Sequence, residues 1–246
     1  MALFKRKQKK LDNNSLKYGV GLITYSDPTS SISEQFRTIR TNIQFSSIDK
    51  SLNSVLFTSS EPSEGKSTVS NNVAVTWADQ GKKVILIDAD LRRPTVHKTF
   101  GVGNSKGLST ILSGNDQLED VIQSTVIPNL FVITSGPVPP NPSELLNSSR
   151  MDNLLKELTS QSDLLIVDAP PVNTVTDAQV LAARVDGTIL VVPQGIADKG
   201  GVRHAKQLLQ AVHANILGAI MNRVTAEKSS GYYGGYYGGY YGADDK

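Results

Sequence analysis

The segment from Ser59 to Thr68 reads SSEPSEGKST and lies between an apolar run ending at Thr58 and a helical pattern opening near Lys66. A glycine followed by lysine and serine at a strand-to-helix turn makes a phosphate-binding loop. Loop N–H groups and the helix N-terminus cradle the β- and γ-phosphates, Lys66 neutralises them, and the Ser67 hydroxyl ligates Mg²⁺. Ser60, Glu61, Pro62, Ser63, Glu64, Gly65, Lys66, Ser67 and Thr68 are therefore the nucleotide-binding candidates. Serine stands at position 60, where the common pattern opens with glycine, and at 63, where a second glycine is frequent. Taken alone, GKST can also merely cap a helix.

Two further apolar runs end in acids. VILIDADLRRP, residues 84 to 94, supplies Asp88 and Asp90; LLIVDAPP, residues 164 to 171, supplies Asp168. Ligands of an open α/β sheet sit beyond the carboxyl ends of its strands, so all three acids can converge on a metal–phosphate group, although each singly can be a loop cap. Phosphoryl transfer asks for positioning and charge neutralisation, which lysine, Mg²⁺ and a carboxylate supply. Six of the eight tyrosines lie in the repeat of Gly231 to Gly242, at Tyr232, Tyr233, Tyr236, Tyr237, Tyr240 and Tyr241. A tyrosine hydroxyl with pKa about 10 stays protonated at neutral pH, so an acceptor tyrosine needs a carboxylate to take or orient its proton. Asp90 is the candidate. Asn222 closes the last apolar run, GAIMNRV, where its amide can read an adenine edge or simply serve a turn. Arg92 and Arg93 either steady phosphate and subunit contacts or are solvated or salt-bridged. These groups look exposed, so replacing Lys66 or Asp88 by alanine is expected to leave thermal stability nearly unchanged.

Positioning these groups requires strands and helices in alternation. Residues 55–58, 83–88, 130–134, 164–168, 188–192 and 216–221 are continuous in Val, Ile and Leu, as buried parallel strands are. Helical patterns at about 66–80, 143–160, 177–184 and 199–213 separate most of them, predicting an α/β, doubly wound, mostly parallel sheet. A further amphipathic helix is expected over 33–46, with Ser33 as its N-cap. Residues 1 to 30 read as a basic flexible leader, 31 to 225 as the folded domain, and 226 to 246 as a disordered Tyr/Gly-rich tail. Such a tail can be an acceptor of phosphate or a self-association element.

Bulk properties narrow the class. Hydrophobic residues at 39%, charged residues at 20% and a net charge of +2 fit a globular domain and argue against a nucleic-acid binder. The absence of cysteine excludes disulfides and thiolate chemistry. No apolar stretch reaches the roughly 18 to 20 residues of a membrane span, so a cytoplasmic protein is expected, peripheral at the inner face of the membrane through a partner. Lys5, Arg6, Lys7, Lys9 and Lys10 form either a solvated head or a contact for anionic lipid.

Residues 33 to 224, with the run ILIDADLRRP and the third strand ending in Asp168, resemble the bacterial tyrosine kinases of capsular and exopolysaccharide synthesis, P-loop proteins of the MinD/ParA-like type. The resemblance implies that Lys66 and Ser67 bind ATP·Mg²⁺, that Asp88 and Asp168 hold the metal through waters, and that Asp90 receives or orients the tyrosine hydroxyl. It also implies that Glu34, Arg37 and Arg40, spaced by three in SEQFRTIR, dock on a neighbouring subunit and close a homo-oligomeric ring. On spacing alone the trio can equally be an intrachain ion pair. The family further implies a membrane-anchored activator of the polysaccharide co-polymerase type and a cognate tyrosine phosphatase. A plain partition or septum-positioning ATPase is the competing reading; such proteins carry an early P-loop lysine where this chain has Glu61, and lack the tyrosine tail. A nucleotide-dependent scaffold is the other.

Overall fold

A computed structural model describes residues 14–46 and 51–224. Its centre is a seven-stranded sheet of β1 (Ser54–Ser59), β2 (Val84–Asp88), β3 (Ile122–Ser124), β4 (Leu130–Ile133), β5 (Leu164–Asp168), β6 (Gly187–Pro193) and β7 (Ile216–Asn222). The order is β3-β4-β2-β5-β1-β6-β7, and only the β3–β4 pair is antiparallel. Successive side chains of a strand point to opposite faces. In β1, Leu56 therefore joins a core with Ile85, Ile87, Leu165 and Val167, while Val55 and Phe57 join another with Leu86 and Ile166. Both faces are covered, which is why these runs are continuous in apolar residues instead of alternating.

The helices are α1 (Ser15–Tyr18), α2 (Ile23–Ser26), α3 (Ser31–Phe45), α4 (Lys66–Ala78), α5 (Val96–Phe100), α6 (Leu108–Leu112), α7 (Leu118–Val121), α8 (Pro142–Leu146), α9 (Ser149–Gln161), α10 (Asp177–Ala182) and α11 (Lys199–Ala211). α4 is polar and apolar by turns yet almost wholly buried, because it runs under α3 and across the sheet.

Three expectations need correction, and one strand has no counterpart in the sequence pattern. The N-cap of α3 is Ser30, whose hydroxyl accepts the Ser33 N–H at 3.2 Å, so the helix starts earlier than the apolar period suggested. The helix expected over 143–160 breaks into α8 and α9 at Asn147 and Ser148; Ser148 caps α9 through the Met151 N–H. β3 was missed because it is a three-residue antiparallel edge strand with no buried residue to mark it. Residues 14–30, assigned to a flexible leader, are folded onto the domain. Thr24, 2% exposed, hydrogen-bonds to the wholly buried Asn72 of α4. Polar anchoring of this kind leaves no apolar period in the sequence. The basic head through Lys10 and the tyrosine tail lie outside the described residues.

Candidate functional site: a phosphate cleft at the strand ends

The loop between β1 and α4 is shaped by two left-handed residues. Gly65, at φ 98°, opens α4, and the Asn222 side-chain amide occupies the space a Cβ would need, 2.0 Å from it. Asn222 Nδ2 donates to the Glu64 carbonyl at 3.0 Å. Ser63 also adopts positive φ, 64°, a conformation that costs a non-glycine residue about 1 kcal/mol and accounts for the preference for glycine there. Arg223, itself at φ 57°, donates from its guanidinium to the Ser63 carbonyl at 3.2 Å. The buried Glu64 carboxylate closes the loop from within, accepting from the Ser60 hydroxyl at 2.8 Å and the Glu61 N–H at 2.9 Å. Serine at 60 thus supplies a bond that glycine could not. Glu61 points the other way and accepts from Asn173 at 3.2 Å.

Lys66 is not exposed. It is 8% accessible, and its Nζ lies 2.9 Å from Asp90, 3.6 Å from Asp168 and 3.2 Å from the Ser67 hydroxyl. Burial works to discharge it, but Asp168 and Asp90 outweigh burial and hold it firmly protonated. Asp88 and Asp168 are register partners on adjacent strands β2 and β5 and are fully buried. Desolvation pushes both carboxyls upward, Asp168 adding like-charge repulsion at Asp88 and Lys66 working against the rise at Asp168. For Asp90, burial is overcome by Lys66 and by the N–H groups of Arg93 and Arg92, so it stays below the usual carboxylate range. Asp88 accepts from the N–H groups of Thr95 and Val96, both at 2.9 Å, and of Asp90 at 3.3 Å, capping the start of α5. Neither oxygen of Asp168 has a hydrogen-bond partner among the described residues. The expectation that these groups are exposed is overturned, because three strand ends and α4 close over them.

Among the described residues no three acidic, histidine or cysteine side chains form a ready metal cage. The donors nonetheless suit Mg²⁺, which keeps several waters and takes one or two protein ligands beside phosphate oxygens. The Asp168 oxygens, which face Lys66 without a hydrogen bond, and the Ser67 hydroxyl are available for that; Asp88, occupied by N–H groups, fits a contact through water. Above these groups lies a cleft of ≈ 380 Å³, lined by Pro62, Ser63, Lys66, Ser67, Asp90 and Arg93 among others.

Of the expected site residues, Pro62, Ser63, Gly65 to Thr68 and Asp90 line the cleft, whereas Asp88 and Asp168 are fully buried beside Lys66 and Asp90, and Asn222 reaches the loop through the Glu64 carbonyl. Asn222 spends its amide nitrogen on the loop and its oxygen on the Arg223 N–H at 2.8 Å. Arg92 is tied to buried Asp177 at 3.1 Å and to Ser143, whereas the Arg93 side chain has no partner among the described residues. Arg223 and the residues of the segment 14–20 that line the cleft were not anticipated; only the Asn-Arg pair ending β7 hinted at the first. On α3, Arg37 pairs with Glu34 within the chain and donates to the Pro28 carbonyl, while Arg40 donates to the Thr76 carbonyl at 2.7 Å.

Comparison with known proteins agrees with this architecture. The ParA family model, described as NUBPL iron-transfer P-loop NTPase, matches residues 52–231. Tyrosine-protein kinase YwqD of Bacillus subtilis (strain 168) is 45% identical over 236 residues, covering 95% of this chain and 97% of the relative. The crystal structure of the chimerical protein CapA2B2 superimposes with a TM-score of 0.80 at 43% identity, over 82% of this chain and 89% of the other. The kinase domain of Escherichia coli tyrosine kinase ETK gives 0.79 at 36% identity, over 90% and 87%.

Proposed function

The chain belongs to the ParA-type P-loop NTPases and, within them, to the bacterial tyrosine-protein kinases, and we propose that its phosphoryl acceptors are the six tyrosines of its own C-terminal repeat, presented by a neighbouring copy. The observation that carries this reading is the pairing of Lys66 with Asp90: the group suited to hold the γ-phosphate and the group suited to receive the hydroxyl proton are 2.9 Å apart.

Entry of ATP draws Lys66 from Asp90 to the phosphates, which frees the Asp90 carboxylate. The tyrosine oxygen then forms a bond to the γ-phosphorus, the bond from that phosphorus to the β,γ-bridging oxygen of ADP breaks, and the phenolic proton passes to Asp90. Asp90 suits the role because, before nucleotide enters, Lys66 and the N–H groups of Arg93 and Arg92 hold it in the ionised form, so the carboxylate that Lys66 leaves is ready to accept a proton. Ser67 and Asp168, with Asp88 through water, would hold Mg²⁺, which would supply charge neutralisation for the phosphates. Loop N–H groups and the N-terminus of α4 orient the same phosphates.

Transfer between copies is favoured by assembly, which raises the local acceptor concentration. The helix α3 with Glu34, Arg37 and Arg40 is the proposed ring contact, formed when these charges exchange partners across subunits. No helix among the described residues is long and apolar enough to cross a membrane. A membrane-anchored activator of the polysaccharide co-polymerase type would bring the kinase to the inner face of the membrane, where its phosphorylation state, reset by a cognate phosphatase, regulates capsule or exopolysaccharide export. Each phosphate adds about 1.5 to 2 negative charges, so modified tails repel and loosen the ring.

The test mixes a Lys66→Met chain with intact tyrosines and an active chain in which Tyr232, Tyr233, Tyr236, Tyr237, Tyr240 and Tyr241 are Phe. Phosphotyrosine is expected on the Lys66→Met chain, at those six positions by mass spectrometry. Modification confined to cis, or mapping mainly to Tyr18 or Tyr25, refutes the mechanism.

A further inference from the structure

Residues 14–20 form one wall of the phosphate cleft, through Asn14, Ser15, Leu16, Gly19 and Val20. This strap is held by specific, buried bonds. Asn72 Oδ1 accepts from the Thr24 N–H at 3.1 Å and hydroxyl at 2.9 Å, and its Nδ2 donates to the Gly21 and Thr68 carbonyls, each at 2.9 Å. One buried amide therefore ties the strap to the first turn of the helix that carries Lys66. Further along, the Val20 N–H donates to Thr99 Oγ1 at 3.0 Å, and Lys98 Nζ donates to the Leu16 carbonyl. Gly19, at φ 78°, lies so close to α5 that a Cβ would sit 2.5 Å from the Thr99 nitrogen.

These contacts fix which end of the cleft the strap occupies. α5 follows β2 and Asp90, whereas Asn222 and Arg223 stand at the end of β7. Between β2 and β7 lie β5, β1 and β6, a separation of roughly 19 Å at the usual strand spacing. Anchored on α5, the strap stands on the Asp90 side of the central loop, away from the end of β7. There Leu16 and Val20 share the cleft with Pro170, Pro171 and Val175, and Arg93 stands in the lining with no side-chain partner among the described residues.

We propose that the strap, with Pro170, Pro171 and Val175, forms the acceptor subsite, which takes the phenol ring of a tyrosine from the C-terminal repeat while Arg93 receives the acidic end of that tail. The inference rests on the kinase reading and adds to it the binding site of the acceptor. The chemistry matches on both counts. Residues 231–242 contain only tyrosine and glycine, so an apolar slot ending in a carboxylate is what they can occupy. Asp244 and Asp245 follow Tyr241 by three and four residues, about 10 to 14 Å of extended chain, and complement a guanidinium at the rim. Glycine neighbours let the backbone pass close to the strap.

The experiment uses the full chain with the six tail tyrosines changed to Phe and a fluorescent peptide, GYYGGYYGADDK, as the added acceptor. Peptide affinity is read by anisotropy with a non-hydrolysable ATP analogue present, ADP affinity with a fluorescent ADP, and transfer by phosphotyrosine formation. Combining Leu16→Ala with Val20→Ala is expected to weaken peptide binding about tenfold with ADP affinity within twofold, and Arg93→Glu to weaken it only when the peptide carries its two aspartates. Both side chains are partly exposed, so their truncation leaves the fold in place. Unchanged peptide affinity in both variants, or ADP affinity falling in parallel, overturns the subsite. Peptide bound through the strap without transfer sustains the subsite and refutes the tail as kinase acceptor; no peptide binding by the unaltered strap refutes the subsite while the trans-phosphorylation test decides the kinase reading.

Discussion

Asp168→Asn is expected to stabilise the nucleotide-free chain while abolishing phosphoryl transfer. Three buried carboxylates, Asp88, Asp90 and Asp168, face a single ammonium, Lys66. Adjacent strands put the Asp88 and Asp168 carboxylates about 5 Å apart, so their repulsion is about 3 kcal/mol at an effective dielectric constant of 20. The attraction of Lys66 for Asp168 at 3.6 Å is about 4 to 5 kcal/mol on the same scale, and the desolvation of a buried carboxylate costs several more. The raised pKa of Asp168 gives the sign of the balance: burial wins over Lys66, and the ionised form is less favourable in the folded chain than in the unfolded one. A neutral isostere then gains about 2 kcal/mol, or about 4 to 8 °C in Tm for a domain of this size. Because the folded pKa lies above the unfolded one, the ionised group destabilises increasingly as pH rises above the unfolded value. The gain is therefore largest toward the alkaline end of the range and fades as pH falls to the unfolded value of about 3.9 and below it, where the carboxyl is protonated in both states. Differential scanning fluorimetry of both chains from pH 4 to 8 without nucleotide, beside a phosphotyrosine assay, reads both halves. A Tm that falls, or a gain that does not depend on pH, would show that Asp168 is compensated in the free protein and refute the reasoning.

Lys66→Met should lower nucleotide-free stability by about 3 kcal/mol, since it strips a buried carboxylate cluster of its cation; a Tm within 2 °C of wild type, by the same fluorimetry, would be incompatible with that. Gly65→Ala should abolish binding of a fluorescent ADP, because its Cβ would meet Asn222 at 2.0 Å and the residue needs positive φ; retained affinity would mean that the loop re-forms without Asn222. Replacing Glu34, Arg37 and Arg40 by alanine should reduce the assembled mass in light scattering, and an unchanged mass would leave these charges to their bonds within the chain.

The parallel sheet and the strand ends that carry the candidate site were legible because they follow from continuous local patterns. An apolar run that stops at a carboxylate, as at Asp88 and Asp168, marks a strand and its functional end in one stretch of residues. What escaped was whatever depends on which residues meet. Nothing around Lys66 in the chain says that Asp90 and Asp168 will enclose it, so a lysine expected to meet solvent-borne phosphate reads as exposed. Nothing in the polar stretch 14–30 says that Thr24 will find Asn72, 48 residues on, because two side-chain hydrogen bonds leave no periodic signature. The trio on α3 illustrates the same limit from the other side. Its spacing permits both an internal pair and a subunit contact, and the isolated chain displays the internal one, with Arg37 on Glu34 and Arg40 on the α4 backbone. An exposed i,i+3 ion pair contributes about 0.5 kcal/mol or less, so it opposes exchange for a contact across subunits only weakly. The Arg40 bond to Thr76 matters more for the site: α4 carries Lys66 at its other end, so a subunit that recruits Arg40 acts on the helix that aligns the phosphates. In the proposed mechanism assembly and phosphoryl transfer would share this helix, and the strap, bound to it through Asn72, would place the proposed acceptor wall on it as well.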